Sequence, residues 1–251
     1  MRPPSHSWRR RVGRGALAIL LTAALLPLGA LEAFYRYGLS QVGETPPTPM
    51  PRTDFATRAL WAVEENGPPR LEPRWPWTLL ADLVGLFPLR KGQRPRAGSW
   101  MSSHVAGRWL ASRAGGEHEP HLRRSLRTVA LSIWISRHWS AEELLASYAD
   151  GVSFGPGLTG LDAAARAYFG KEAGQLALHE AALLAGVVRS PTRYHPLCRP
   201  ENALRVRDFS LSRLHALGWI SEAQREDAQR QPLLPLEVAA RRGPCAAPDE
   251  D

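Results

Sequence analysis

Two adjacent carboxylates, Glu64 and Glu65, are the first residues of this chain whose type and position could do chemistry. They follow an apolar run, Ala59 to Val63, and precede a turn signal at Asn66-Gly67. Carboxylates are among the residue types that can act as general acids or bases. The plainer interpretation is two solvated acids in front of a turn, and the residues alone leave both open.

A glycine-punctuated segment, residues 140–191, is the second candidate. Ser140 and Glu143 have the spacing of a capping box, which predicts the start of a helix. That helix is expected to end near Asp150-Gly151. The loop that follows contains three glycines, Gly155, Gly157 and Gly160. Glycine permits positive φ or close approach of a ligand, so the loop is either a linker between helices or part of a site.

The residue order in this segment resembles the peptidoglycan glycosyltransferase domain (glycosyltransferase family 51). That domain occurs in bifunctional penicillin-binding proteins and in monofunctional biosynthetic transglycosylases. In the family, a helix ending in Tyr-Leu-Asn leads into Phe-Gly-x-Gly-x-x-Gly, then Ala-Ala-x-x-Tyr-Phe-Gly-Lys, then Glu-Ala-Ala-Leu-Leu-Ala-Gly. The matching residues here are Tyr148, Asp150, Phe154, Gly155, Gly157, Gly160, Ala164, Ala165, Tyr168, Phe169, Gly170, Lys171 and Glu180 to Gly186. The resemblance implies a mainly α, lysozyme-like helical glycosyltransferase domain over residues 55–230.

The resemblance also implies a reaction, the polymerisation of lipid II into glycan strands. The 4-hydroxyl of one disaccharide attacks the anomeric carbon of a lipid-linked chain and expels undecaprenyl pyrophosphate. The family uses a base from a Glu-Asp pair, for which Glu64 is the candidate catalytic residue, and cationic or hydrogen-bonding groups for the pyrophosphate. A divalent metal, Mg²⁺ or Mn²⁺, often accompanies them. The residues matched to substrate-binding positions are Ser99, Ser102, His104, Arg124, Tyr148, Asp150, Gly155, Gly160 and Lys171.

Several positions depart from the family pattern. The Gly-x-Ser-Thr-Ile-Thr-Gln-Gln run corresponds to residues 97–104, where Trp100 and His104 differ and His104 could replace an amide. The family has a second Glu, in an Arg-Lys-x-x-Glu helix, that supports the leaving-group side of the reaction. Aligning residues 139–140 with the family's equivalent pair places Arg124 at the Arg, Ser125 at the Lys and Thr128 at this second Glu, and Asp150 replaces an Asn.

These departures keep two alternatives open. One is a catalytically impaired relative that binds lipid II or serves as an envelope scaffold or regulatory protein. The other is an envelope hydrolase on the same fold, which needs two separated carboxylates, whereas Glu64 and Glu65 are adjacent.

The N-terminus predicts a membrane anchor. Residues 1–14 form a basic tail with five arginines, and the uncharged run Gly15 to Leu31 follows. A cleaved signal peptide begins in the same way, but no small residue stands two positions before Ala30 or Ala33, which favours an uncleaved transmembrane helix over 15–34. The arginines predict a cytoplasmic N-terminus and a domain on the periplasmic or extracellular side of the plasma membrane. Residues 33–37 would form an interfacial belt, and residues 35–54 a Pro-rich spacer.

The composition of the chain indicates which classes of partner to expect. The net charge of +8 over 251 residues favours anionic partners such as phospholipid headgroups and lipid pyrophosphates. Nucleic acid is not expected, because neither zinc-ligand spacing nor an RNA-binding aromatic motif is present. No transpeptidase domain is recognised, so crosslinking would depend on other proteins, with penicillin-binding proteins as candidates. Cys198 and Cys245 could pair in an oxidising compartment, but the terminal position of Cys245 favours two unrelated thiols.

The remaining pattern is helical. Residues 55–65 have apolar residues at Leu60, Trp61 and Val63 and end at a turn signal. Residues 78–87 predict either a core helix or an amphipathic element at the bilayer together with Trp75, Trp77, Arg90 and Lys91. One helix face is predicted to contain Leu122, Leu126, Val129 and Ile133. Further helices are expected over 201–217 and 221–230, the second with a capping box at Ser221 and Gln224. Strand-type alternation is not sustained, and residues 231–251 are expected to be a disordered tail.

Overall fold

The computed structural model describes residues 25–65, 68–78, 97–114, 119–235 and 238. Most of them are helical, which confirms the prediction of a mainly α protein. The helices are α1 (residues 25–40), α2 (Phe55–Glu64), α3 (Ser99–Arg113), α4 (His121–His138), α5 (Ala141–Gly151), α6 (Leu161–Phe169), α7 (Leu178–Val187), α8 (Pro200–Ala216) and α9 (Glu222–Arg230). Between α5 and α7 also lie the strands β1 (Ser153–Gly155) and β2 (Leu158–Thr159) and a 3₁₀ turn (Ala173–Gln175).

Helix α7 is the centre of the core. Every residue from Glu180 to Val187 is buried, as expected for a helix that is apolar on all sides. It packs against α2 and α8. Gly186 allows the closest approach to α8, because a Cβ atom there would lie 2.9 Å from Ser210 Oγ and from both methyl groups of Val206.

Both predicted capping boxes are confirmed. At the start of α5, Ser140 Oγ accepts the backbone N–H of Glu143 at 3.1 Å, and the Glu143 carboxylate accepts the N–H of Ser140 at 2.6 Å. Ser221 and Gln224 make the same reciprocal pair at the start of α9. These local bonds satisfy backbone donors that a helix start otherwise leaves open.

The predicted face of α4 is wrong at two of its four positions. Leu122 is 84% exposed and Val129 is 41% exposed. The helix packs on two sides, against α3 and against α1, so its buried residues are not one stripe. They are Ala130, Leu131, Ser132, Ile133, Ile135 and Ser136.

Helix α1 lies against α4 through Tyr35, which forms a small buried cluster with Ala130 and Ile133. Tyr35 was predicted to belong to an interfacial belt, and its burial inside the protein corrects that expectation, while Phe34 and Tyr37 are exposed. In the part of the chain that is described, no helix combines the length and apolar character needed to cross a membrane. Residues 15–24 of the predicted anchor lie outside the described residues.

The predicted spacer follows the surface of the helical domain. It has neither helix nor strand from residue 43 to residue 54. Trp109 Nε1 donates to the carbonyl of Glu44 at 3.1 Å, and Arg52 pairs with Asp162 at 2.7 Å. The Arg52 guanidinium holds the pKa of Asp162 below its usual value.

Three other sequence predictions concern residues that the structure describes only in part. Trp75 and Trp77 stack at 4.9 Å, and the Arg137 guanidinium lies over the Trp75 ring, whereas residues 79–96 fall outside the described residues. Cys198 is disulfide-bonded, so the interpretation of two unrelated thiols is wrong, and Cys245 falls outside the described residues. The same is true of most of the predicted tail over 231–251.

Candidate active site

A cleft of about 380 Å³ opens where several elements meet. Its walls come from the end of α2, the first turns of α3, the junction of α5 with β1 and the segment after α7. The lining residues are Glu64, Trp100, His104, Tyr148, Val152, Ser153, Val188, Arg189 and Pro191. Three predicted site residues, Glu64, His104 and Tyr148, therefore meet in one place.

Glu64 is the last residue of α2, and the buried Trp61 and Leu60 fix that helix in the core. Its Oε1 atom is buried and has no hydrogen-bond partner among the described residues. Burial raises the pKa of the Glu64 carboxyl, the nearby Arg189 guanidinium opposes that rise, and Glu65 adds to it. The result is a carboxylate that is more basic than an ordinary glutamate and faces a cleft.

Glu65 has a different environment from its neighbour. Its two oxygens accept the backbone N–H groups of Gly98 at 3.0 Å and Met101 at 3.2 Å. Gly98 has φ of 76° and supplies no side-chain cap to α3. The Glu65 carboxylate, from the end of α2, therefore accepts backbone N–H groups that the start of α3 would leave without partners. Burial raises the pKa of Glu65, and these backbone bonds counteract the rise. Glu65 thus positions α3 and its cleft residues relative to α2.

Three aromatic rings form one wall of the cleft. His104 stacks on Trp100 at 5.3 Å and meets the edge of Tyr148 at 5.3 Å. Burial, with help from Arg108, lowers the pKa of His104, so its imidazole is neutral near pH 7. His104 Nε2 and the Tyr148 hydroxyl are both buried without partners among the described residues. Burial raises the pKa of Tyr148 above its usual range, so the hydroxyl stays protonated as a donor.

Two arginines balance the negative charge of Asp150, the residue that replaces the family's Asn. Its carboxylate lies 3.3 Å from Arg52 Nη1 in the spacer. Arg108 packs over the end of α5, where a Cβ atom on Gly151 would lie 0.8 Å from Arg108 Nη1. Burial lowers the pKa of Arg108 and Asp150 opposes that change. The extra negative charge is therefore matched within the protein.

The glycine segment forms a β-hairpin and not an unstructured loop. Gly155 and Gly157 have φ of 147° and 70°, and Gly160 has φ of 93°. The hairpin closes against α5, since a Cβ atom on Gly160 would lie 3.1 Å from the carbonyl oxygen of Asp150. A Cβ atom on Gly155 would lie in ordinary van der Waals contact with His195 and Tyr168, and the Tyr168 hydroxyl donates to the Phe154 carbonyl.

The remaining predicted residues do not line the cleft. Ser102 is buried in α3 and its hydroxyl donates to the Ser99 carbonyl at 3.1 Å. Arg124 is exposed on α4. Lys171 Nζ binds both oxygens of Glu180 at 2.8 and 2.9 Å, in a contact that packs α7.

A divalent metal does not fit the described residues. Thr128 occupies the position aligned with the family's second Glu, and its hydroxyl donates to the Arg124 carbonyl in its own helix. Within the described ranges, no group of three His, Cys, Asp or Glu side chains is arranged to hold a metal ion. Glu64 supplies the single carboxylate among the lining residues and Arg189 shares its cleft. Mg²⁺ is usually held by one or two carboxylates together with substrate phosphates, so the described side chains do not form a complete metal site by themselves.

Sequence reasoning did not assign two of the lining residues, Trp100 and Arg189. Trp100 stood out only as a departure from the family motif. Arg189 had one local signal: it is a cation directly after the apolar helix α7 and before Ser190-Pro191. Neither residue could be placed beside Glu64 without the packing of α2, α3 and α7.

Comparison with known proteins agrees with the resemblance. Penicillin-binding protein 1A of Aquifex aeolicus is 34% identical over 144 residues, which are 57% of this chain and 19% of that protein. Penicillin-binding protein 1A/1B of Bacillus subtilis is 35% identical over 114 residues, covering 45% of this chain and 12% of that protein. Penicillin-binding protein 1A of Pseudomonas aeruginosa is 29% identical over 145 residues, covering 58% of this chain and 17% of that protein. The matched part of the chain thus spans about a fifth or less of the length of these curated relatives.

A family model described as Transglycosylase matches residues 88–215, just over half of the chain. The match includes the α3 side of the cleft, the hairpin and α7, while Glu64 and Glu65 precede it. On this match and the agreeing relatives, the chain belongs to the transglycosylase family.

Proposed function

We propose that this protein is a peptidoglycan glycosyltransferase that polymerises lipid II into glycan strands, with Glu64 as the base. The observation that carries the proposal is the Glu64 carboxylate, whose Oε1 atom is buried without a hydrogen-bond partner among the described residues, in a cleft that Arg189 also lines. A raised pKa makes this carboxylate a better proton acceptor than an exposed glutamate, provided that the pH keeps it ionised.

In the proposed reaction, a Glu64 oxygen takes the proton of the acceptor 4-hydroxyl. As this proton leaves, the hydroxyl oxygen of the acceptor attacks the anomeric carbon of the donor. The bond between that carbon and the pyrophosphate oxygen breaks, and the electron pair leaves with the undecaprenyl pyrophosphate. Arg189 is the cation nearest to this chemistry in the cleft lining, and it would stabilise the negative charge on the leaving group.

The aromatic wall would orient the sugars. The Tyr148 hydroxyl is a donor without a partner in the described residues, and neutral His104 offers one donor and one acceptor. Buried polar atoms of this kind are costly unless a ligand or water satisfies them, which supports their use toward a hydroxylated substrate.

The proposal also covers the position of the protein relative to the plasma membrane. The domain would stand outside the plasma membrane behind a transmembrane helix over residues 15–34, where penicillin-binding proteins are candidate partners. The basic net charge supports a site near anionic lipid.

A second candidate is a catalytically impaired relative that binds lipid II as a scaffold or regulatory protein. The observation in its favour is Thr128, whose hydroxyl is committed to the Arg124 carbonyl and which cannot supply the charge of a glutamate.

Purified full-length protein incubated with lipid II separates the two candidates. Glycan polymer from the wild type, and none from Glu64→Gln, is the result we expect. If no polymer forms under any metal condition, the glycosyltransferase proposal fails. Lipid II binding without polymer would favour the scaffold.

A further inference from the structure

A second concave site adjoins the cleft on the other side of Arg189. It has a volume of about 330 Å³ and lies between the segment after α7 and the first three turns of α8. Its lining residues are Arg189, Arg193, Tyr194, Asn202, Arg205, Val206 and Phe209. We call this site the arginine pocket. Three of its seven lining residues are arginines, and none is acidic.

None of the three guanidinium groups forms a salt bridge among the described residues, although Arg189 also acts electrostatically on Glu64 across the cleft. Elsewhere on the surface, Arg166 and Arg225 each pair with a glutamate. Gathering several positive charges in one concavity without a counter-charge raises the local potential and attracts anions. A pocket of this kind is typical of a site whose counter-charge comes from a ligand.

Two of the three arginine side chains lie against aromatic rings. Arg189 lies over the Phe209 ring at 5.0 Å, and Arg193 lies 5.8 Å from the Tyr194 ring. Stacking uses the face of a guanidinium, so the N–H groups at its edge remain available for oxygen atoms.

Asn202 organises the pocket further. Its Oδ1 accepts from Arg205 Nη2 at 2.6 Å, and its Nδ2 donates to the Arg193 carbonyl at 3.2 Å. One side chain therefore fixes an arginine of α8 relative to the segment after α7. This pre-organisation lowers the entropy lost on binding a ligand.

We propose that the arginine pocket binds a phosphoryl anion, a phosphate or pyrophosphate group. Three guanidinium groups without a salt bridge in the described part of the chain match a multiply charged anion better than a single carboxylate, and the planar fork of arginine fits phosphate oxygens in a bidentate manner. The pocket shares Arg189 with the cleft, so an anion there lies next to the reaction centre. The source is either the pyrophosphate of a lipid-linked substrate, which rests on the proposed function, or the headgroup phosphate of a bilayer lipid.

The test uses full-length protein in phosphatidylcholine nanodiscs, with inorganic pyrophosphate as the probe in isothermal titration calorimetry. The double variant Arg193→Ala/Arg205→Ala leaves the shared Arg189 in place. Its affinity for pyrophosphate should fall about tenfold or more, since each guanidinium contributes charge-assisted hydrogen bonds. The matched control is Arg230→Ala, an exposed arginine of α9 outside the pocket, which should bind as the wild type does. The Arg193→Lys/Arg205→Lys variant keeps the charges and should fall between them.

A second arm separates the sources by flotation with phosphatidylcholine vesicles that contain or lack phosphatidylglycerol. If the double variant also loses its preference for phosphatidylglycerol, the headgroup is the source. If it loses pyrophosphate affinity alone, the source is the substrate pyrophosphate. Equal binding of both probes by the wild type and the double variant overturns the proposal.

Neither arm requires turnover, so the outcome is independent of glycan synthesis. A wild type that binds pyrophosphate through the pocket but makes no polymer would refute the proposed function and leave the pocket standing.

Discussion

Substitutions at the neighbouring residues Glu64 and Glu65 should have different effects, the first on catalysis and the second mainly on stability. Glu64→Gln keeps the shape of the side chain but removes the base, and loss of a positioned general base costs about 10²- to 10⁴-fold in rate. Glu65→Gln should reduce polymerisation less. Its main effect should be on stability, because the amide nitrogen cannot accept the second of the two backbone N–H bonds from α3, a loss of about 1 kcal/mol.

Stability gives an independent readout for Glu64. Burial places the folded-state pKa of Glu64 above its unfolded value, so the folded state binds the proton more tightly. Fold stability therefore falls as the pH rises from the unfolded pKa through the folded pKa. Glu64→Gln cannot ionise, so its free energy of unfolding should equal or exceed that of the wild type at neutral pH.

The assay pairs gel analysis of glycan products from lipid II with urea denaturation of each variant at several pH values. A Glu64→Gln protein that polymerises at nearly the wild-type rate would refute the assignment of the base. So would a Glu65→Gln protein that is inactive but as stable as the wild type, since this would exchange the two roles.

Three further predictions follow from single contacts. Arg189→Gln removes the cation that opposes the raised pKa of Glu64, so the acidic limb of the pH profile of kcat/KM should move to higher pH, and an unchanged limb would contradict the electrostatic coupling. Lys171→Met leaves the buried Glu180 without its cation and should cost about 1–2 kcal/mol of unfolding free energy by urea titration, while the KM for lipid II stays unchanged if the role is structural. Gly186→Ala forces apart α7 and α8 and should cost about 1–3 kcal/mol, seen as a lower Tm, whereas an unchanged Tm would show that α8 adjusts freely.

Local signals in the sequence were sufficient to predict where two helices start. The capping boxes at Ser140 and Ser221 depend on residues three apart, so their structural effect is set within one turn. The hairpin at residues 153–159 was missed because its strands are only three and two residues long, too short for alternation to show. The face of α4 was wrong because a single stripe cannot describe a helix covered on two sides.

The candidate site was harder to predict than the helices. Glu64, His104, Tyr148 and Arg189 lie on four separate segments, and their meeting depends on how α2, α3, α5 and α7 pack. Motif order named three of these four residues, but it could not distinguish a residue that faces the cleft from one such as Lys171, which pairs with a core glutamate. Their roles in catalysis stay predictions until the variants are assayed.

The bond between Glu65 and the start of α3 also bears on protein engineering. Together with the hydrogen bond from Glu72 N–H to the Ala97 carbonyl at 3.2 Å, it joins the two ends of the segment between α2 and α3. The entropy of closing a loop grows only with the logarithm of its length, so added residues in a segment with fixed ends cost little stability. An engineered variant should keep both contacts at the ends of this segment, because the bond from Gly98 N–H to Glu65 holds Glu64, at the end of α2, in register with His104 in α3.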